Sequence, residues 1–281
     1  MRIVNFEGRL TLETQGRLID IESRSEGRFP SDPMAVFAVW EALRDWAVDQ
    51  APEPADPETD VAKLGPPVPR PAQVFAIGLN YRDHAEEAGL PLPSSPMVFT
   101  KFPNCIAAPN ADIPLTSDRV DWEVEQVVVI GKRADRVSAA SAWDYVAGMT
   151  CGQDVSDRRM QFKDKPPQFS LGKSARNFGP IGPALVSLDE FENPDRITLR
   201  CWVGDELMQE STTENLIFGV PALIEAISRY CVLEAGDLIF TGTPGGVGSV
   251  RDPRRYLAEG ELVRSSIDGI GILSNRCVAG G

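Results

Sequence analysis

"DWEVEQVVVIGK", residues 121–132, places two carboxylates at the head of an apolar run. Glu123 and Glu125 stand two apart among β-branched residues, so in a strand their side chains project from one face. Val127 and Val129 continue that face, while Trp122, Val124, Val128 and Ile130 line the other. The strand thus runs from an acidic mouth into a fully apolar, buried stretch. Two carboxylates at such a mouth repel each other unless something positive neutralises them. Hard oxygen donors of this kind suit Mg²⁺, Mn²⁺ or Ca²⁺. An edge strand carrying solvated acids is the alternative, and the Glu-x-Glu pattern alone does not separate the two.

Around this strand the chain from "VFAIGLN" (74–80) onward is a series of short apolar runs, "PALVSL", "ITLRCWVG" and "DLIFTGTP" among them, divided by Gly, Pro, Asn and Asp. Helices are predicted at "AASAWDYVAG" (139–148) and "VPALIEAISRYC" (220–231). Without regular βαβ alternation, a Rossmann or TIM architecture is excluded and the expected class is β-rich α+β. Upstream, "RIVNFEGRLTLETQGRLIDI" (2–21) reads as short strands turning at Gly16. Val36, Trp40, Leu43 and Ala47 then share one helical face, with Asp32 as cap. Residues 51–73 hold seven prolines and read as an extended connector. The expected division is a small N-terminal α+β domain with this linker, 1–70, and a larger β-rich domain, 71–281.

A net charge of −13 argues against nucleic acid or an anionic membrane as partner and leaves small molecules or proteins. The start "MRIVNFEGRL" lacks the charged and apolar segments of a secretion signal, and no run is long and apolar enough to span a bilayer, so a cytoplasmic protein is expected. Five cysteines, none in a Cys-x-x-Cys arrangement, read as reduced and mostly buried thiols rather than a disulfide framework or thiolate zinc site.

Further candidates for chemistry are scattered. His84, in "GLNYRDHAEE" (78–87), is the only histidine of the 281 residues, which makes it the natural acid-base group, although the segment also reads as a solvated helical turn. Glu87 lies one helical turn on, in a Gly- and Pro-flanked segment suited to a mobile lid. "GQDVSDRRMQ" (152–161) sets Asp154 in a turn after an apolar, helix-like segment, and "QFSLGKS" (168–174) offers Lys173. "GDLIFTGTPGGVG" (236–248) ends a strand with Thr241 and Thr243 ahead of a glycine-rich turn that matches neither a dinucleotide nor a P-loop pattern.

These motifs, together with "FGPIGP" (178–183), occur in an order that strongly resembles the fumarylacetoacetate hydrolase family over roughly residues 72–250. The resemblance implies a β-roll catalytic domain, a homodimer, and one divalent cation, commonly Mg²⁺, held by Glu123, Glu125 and Asp154. By the same resemblance Lys173 is the active-site lysine, Thr243 contacts substrate, Gln161 lines the pocket, and His84 with Glu87 forms the dyad that activates water. Where relatives often carry "SARD" and "KSFDTF", this chain has "SDRR" and "KSARNF", which puts Arg159 and Arg176 where acids are frequent. The implied activity is hydrolysis of a carbon-carbon bond in an acylpyruvate or other 2,4-diketo acid, through an enolate stabilised by the cation. Oxaloacetate decarboxylation, hydroxymuconate isomerisation and keto sugar acid dehydration use the same scaffold, and a non-enzymatic metal-binding protein is the contrasting class.

Overall fold

The computed structural model describes residues 1–280. The acidic strand, Val124–Ile130, lies inside an 11-stranded sheet, antiparallel to Val146–Gln153 on one side and to Leu238–Phe240 on the other. All seven of its residues are buried, which removes the edge-strand reading. Its two faces divide as the alternation predicts. Val124, Val128 and Ile130 enter one apolar core, and Val127 and Val129 enter another.

The first core lies between the large sheet and a five-stranded sheet of Glu206–Thr212, Thr198–Val203, Leu262–Ile267, Gly271–Ala279 and Ile113–Leu115. Val128, Met149 and Val186 of the large sheet meet Leu199, Val263 and Leu273 of the smaller one there. The second core lies on the other face, where Val127, Val129 and Leu185 pack with Trp40 and Leu43 of the helix Trp40–Ala47. Sheet-on-sheet and helix-on-sheet layers therefore both form on one central sheet. No helix among the described residues is long and apolar enough to cross a membrane. All five cysteines are free, with Cys231 exposed and the other four buried.

The N-terminal strands join this same sheet. Arg2–Phe6 runs antiparallel to Gly179–Ser187, with Ile3 opposite Leu185, and the hairpin Arg9–Thr14 and Arg17–Asp20 extends the sheet outward. The proline-rich connector lies along that hairpin: the Leu18 N–H donates to Pro57 O at 2.9 Å, and Arg17 Nη1 to Asp56 O at 2.6 Å.

Two segments differ from the sequence expectation. The helix of 31–50 begins as a 3-10 turn, Ala35–Val39, because Val39 takes φ −129° and interrupts the α ladder before Trp40. Asp32 accepts from Met34 N–H at 3.0 Å, ahead of the 3-10 turn, and so caps neither that turn nor the α-helix. At 139–148, a 3-10 helix of Ala139–Tyr145 gives way to the long strand Val146–Gln153, so the apolar residues before Asp154 are a strand and not a helix. Two glycines explain this. A Cβ at Gly148 would lie 2.2 Å from Val186 O, and one at Gly152 would lie 2.4 Å from Val127 Cγ2, so glycine permits both close strand approaches.

Because Ile3 is buried against the large sheet, Ile3→Ala should lower the stability of the whole fold by about 2–5 kcal/mol. Urea unfolding followed by fluorescence and circular dichroism should stay a single coincident transition. An early transition limited to the N-terminal strands would instead mark residues 1–70 as an independent unit.

Candidate active site

Strand register brings the acids together. Val124 is paired with Gln153, so Glu123, just before one strand, falls beside Asp154, just after the other. The Asp154 N–H donates to Glu123 O at 2.9 Å. Glu125, opposite Gly152 and on the same face as Glu123, accepts from Gly242 N–H at 2.8 Å. All three side chains are buried, each offering a carboxylate oxygen within 4.8 Å of the others.

Three cations offset this charge. Lys173 Nζ donates to Glu123 Oε2 at 2.8 Å, Asp154 Oδ2 at 2.7 Å and Ser156 Oγ at 2.8 Å. Lys101 Nζ, fully buried, donates to Asp154 Oδ1 at 2.6 Å, to Phe178 O at 3.2 Å and to Lys173 O. An ammonium has three N–H groups, so both lysines are fully engaged by the protein. Arg158 donates through Nε to Asp121 Oδ2 at 2.8 Å and through Nη1 to Gln161 Oε1 at 2.9 Å, and its Nη2 forms ion pairs with Asp121 Oδ2 at 2.8 Å and Glu123 Oε1 at 2.6 Å. One of the two N–H groups on Nη1 has no protein acceptor among the described residues.

Unequal compensation splits the carboxylates. Burial together with the charges of Asp154 and Glu123 pushes the Glu125 carboxyl well above its usual range. Burial opposes ionisation at Glu123 too, but Lys173 and Arg158 outweigh it and hold that carboxyl low.

Asp121 fixes the guanidinium. It is fully buried and also accepts from Gly248 N–H at 2.8 Å and Ser249 N–H at 3.0 Å, joining Arg158 to the turn that follows the TGTP motif. Thr243 Oγ1 donates to Val124 O at 2.9 Å and accepts from Gln209 Nε2 at 2.8 Å, so its only hydroxyl proton is already committed.

His84 sits on the short helix Arg82–Glu87. This helix is fastened to the glycine-rich turn rather than loose: Asp83 accepts from Ser211 Oγ at 2.6 Å and Gly245 N–H at 3.3 Å, and Glu87 Oε2 from Gly246 N–H at 2.8 Å. The expected lid is thus an anchored helix. His84 Nδ1 lies 3.6 Å from Glu87 Oε2, adjacent but just beyond hydrogen-bond length, and has no other partner.

His84, Glu123, Arg158, Gln161, Lys173 and Thr243 line one cavity of roughly 230 Å³. Glu87, Glu125 and Asp154 are not part of its lining but contact residues that are. Arg159 and Arg176 are outside this group: Arg159 pairs with Asp118 at 2.6 Å on the surface, and Arg176 is exposed. The arginine of the cavity is their neighbour Arg158, which the sequence reading passed over together with Lys101 and Asp121. The adjacency of Arg158 to the DVS turn was the available signal. Lys101 carried none, since its site forms from residues more than 50 positions away.

The family profile described as fumarylacetoacetate (FAA) hydrolase C-terminal matches residues 73–278. The chain belongs to the fumarylacetoacetate hydrolase family. Among curated relatives, a mitochondrial oxaloacetate tautomerase of Bos taurus, FAHD2B, is 41% identical over 227 residues, covering 80% of this chain and 72% of that protein. Among solved structures, the fumarylacetoacetate hydrolase of Exiguobacterium antarcticum is 30% identical with a TM-score of 0.86 and 99% of each chain covered. Maleylpyruvate hydrolase of Sphingobium sp. SYK-6, solved with manganese(II) and pyruvate, is 26% identical with a TM-score of 0.81 over the whole of both chains. The β-rich fold expected of a fumarylacetoacetate hydrolase family member is the one observed.

Removing one partner of a buried ion pair leaves the other charge uncompensated. Lys101→Met should therefore destabilise this family member by about 3–5 kcal/mol, far more than a surface lysine change. A midpoint of chemical denaturation equal to wild type would show that Lys101 does not support Asp154.

Proposed function

We propose that the protein is a divalent-cation-dependent hydrolase that cleaves a carbon-carbon bond of a small 2,4-diketo acid. The observation that carries this reading is the chain's sole imidazole, with Glu87 beside it, in the same small cavity as Glu123 of the acidic trio and an arginine with a free N–H. The donor set fits a hard cation: three convergent carboxylate oxygens, no thiolate, no imidazole, and a Glu125 carboxyl raised by burial and by the charges of Asp154 and Glu123. Held by Glu123, Glu125 and Asp154, such an ion, Mg²⁺ first and Mn²⁺ or Ca²⁺ next, supplies a Lewis acid that polarises the 2-keto group.

The residues of the chain do the rest. Arg158 offers its free N–H to the substrate carboxylate, and Asp121 and Gln161 keep its plane fixed. Lys173 already spans Glu123 and Asp154, so it acts as fixed positive charge at the centre and meets substrate only by releasing one of its acceptors. His84 removes a proton from water, and Glu87 stabilises the imidazolium. The hydroxide adds to the distal carbonyl. The bond between C3 and C4 breaks, its electron pair passes into the enolate of the 2-keto acid, and the imidazolium returns the proton to C3. A carboxylic acid and a 2-keto acid leave.

A second reading is keto–enol interconversion of oxaloacetate, favoured by the tautomerase that is 41% identical. It uses the same base directly on a C3 proton and needs no attacking water. We also propose a homodimer, which sedimentation equilibrium tests.

Product analysis separates the two reactions: hydrolysis yields an acid and a 2-keto acid, and tautomerisation changes only the enol absorbance. Activity should vanish with EDTA and return with Mg²⁺ or Mn²⁺, and full activity of a rigorously metal-free sample would refute cation dependence. His84→Ala should keep cation affinity by calorimetry while kcat falls by roughly 10² to 10⁴. Asp154→Ala should weaken both. A wild-type hydrolysis rate without His84 would eliminate the imidazole as the base.

A further inference from the structure

The cavity combines charged and apolar side chains. Beside its polar residues, among them His84, Arg158, Gln161, Lys173 and Ser249, its wall includes Leu90, Met97, Phe99, Phe162 and Phe169. The three phenylalanines come from three places in the chain: the edge strand Met97–Thr100, the residue after the turn Arg158–Gln161, and the helix Phe169–Gly172. Their rings meet edge to face, Phe99 to Phe169 at 5.4 Å between centroids and 67°, and Phe162 to Phe169 at 6.3 Å and 73°. Edge-to-face contacts are the favoured packing of aromatic rings, so the wall is a formed surface rather than three separate side chains. Phe162 is 56% exposed even so, an unusual position for a phenyl ring unless something apolar covers it.

The aromatic wall adjoins the charged groups. Lys173 Nζ lies 5.3 Å from the centroid of Phe99. A substrate whose carboxylate meets Arg158 therefore extends its far end along the phenylalanines. Both lysines near the site have all their N–H groups engaged, and Arg158 Nη1 has one left for a carboxylate. An apolar group laid along this wall takes its own carbon and the exposed phenyl surface out of water together, a gain that a distal carboxylate does not make.

We infer that the substrate is a 2,4-diketo monocarboxylic acid whose C4 substituent is apolar and planar, an aryl group above all, seated against Phe99, Phe162 and Phe169. This rests on the diketo acid reading of the same site and deepens it. It also ranks the two reactions proposed above, because oxaloacetate carries the distal carboxylate that the wall disfavours.

The test is kcat/KM on 4-phenyl-2,4-dioxobutanoate, 2,4-dioxopentanoate and oxaloacetate, with Mg²⁺, for the wild type, Phe162→Ala and Phe162→Leu. The expected result is a wild-type preference of about tenfold or more for the phenyl over the methyl substrate, the usual worth of extra apolar contact in a pocket. Phe162→Ala should cut that ratio about tenfold, and Phe162→Leu should restore part of it. Turnover with no phenyl preference, or a preference that Phe162→Ala leaves unchanged, overturns the inference while the reaction stands. Preferred use of oxaloacetate overturns it in favour of the tautomerase reading. No turnover of any of the three removes the diketo acid reaction and this inference together.

Discussion

Three carboxylates buried within reach of one another are the constraint to which the rest of the site answers. Burying Glu123, Glu125 and Asp154 together is costly, and at Glu125 burial and the charges of Asp154 and Glu123 both favour the protonated form. Lys101, Lys173 and Arg158 make them tolerable, and each is itself buried and almost wholly hydrogen-bonded. The cations are not distributed evenly. Glu123 has two, Asp154 has two, and Glu125 has only a backbone N–H. The shortage of positive charge is therefore localised on Glu125, where a bound cation has most to offset.

Holding such a cluster needs a scaffold that cannot slip. Antiparallel pairing of Val124–Ile130 with Val146–Gln153 places Glu123 against Asp154, and a shift of one residue would turn both glutamates toward the opposite core. Burial on both faces of the strand prevents that shift, because Val127 and Val129 would exchange cores with Val124 and Val128. Gly152 lets the neighbouring strand approach Val127 closely enough to complete the pairing. The apolar half of the strand is thus the reason its acidic half can be precise in position.

What the sequence made legible was local. The alternation of 121–132 gave the division of its side chains between two cores, and the motif order gave the fold and the residues that line the cavity. Contacts between distant segments escaped. Lys101 looks like any surface lysine until Asp154, Lys173 and Phe178 surround it, and Asp121 looks like a turn aspartate until Arg158 and the Gly248 amide converge on it. The substitutions at Arg159 and Arg176 drew notice as charge reversals, yet both side chains face solvent, while the arginine beside them is the one in the cavity. The strand before Asp154 read as helix because small apolar residues at Ala147, Gly148 and Gly152 suit either form, and only close neighbours decide between them.

The base and the acidic centre are linked by one short turn. Residues 242–246 supply the Gly242 N–H to Glu125, the Thr243 hydroxyl to Val124 O, and the Gly245 and Gly246 N–H groups to Asp83 and Glu87 on the His84 helix. Gly242 takes φ +104°, and a Cβ there would lie 2.8 Å from that of Asn80, so the turn closes in this way only with glycine. Backbone amides of this turn thus help set the distance from imidazole to carboxylates, together with the burial of Tyr81 and Ala85 on the His84 segment. Glu87 divides its carboxylate between a turn amide and the imidazole, and the 3.6 Å gap to Nδ1 is the slack in that arrangement. The glycine-rich turn therefore hydrogen-bonds both to the helix of the base and to the acidic centre.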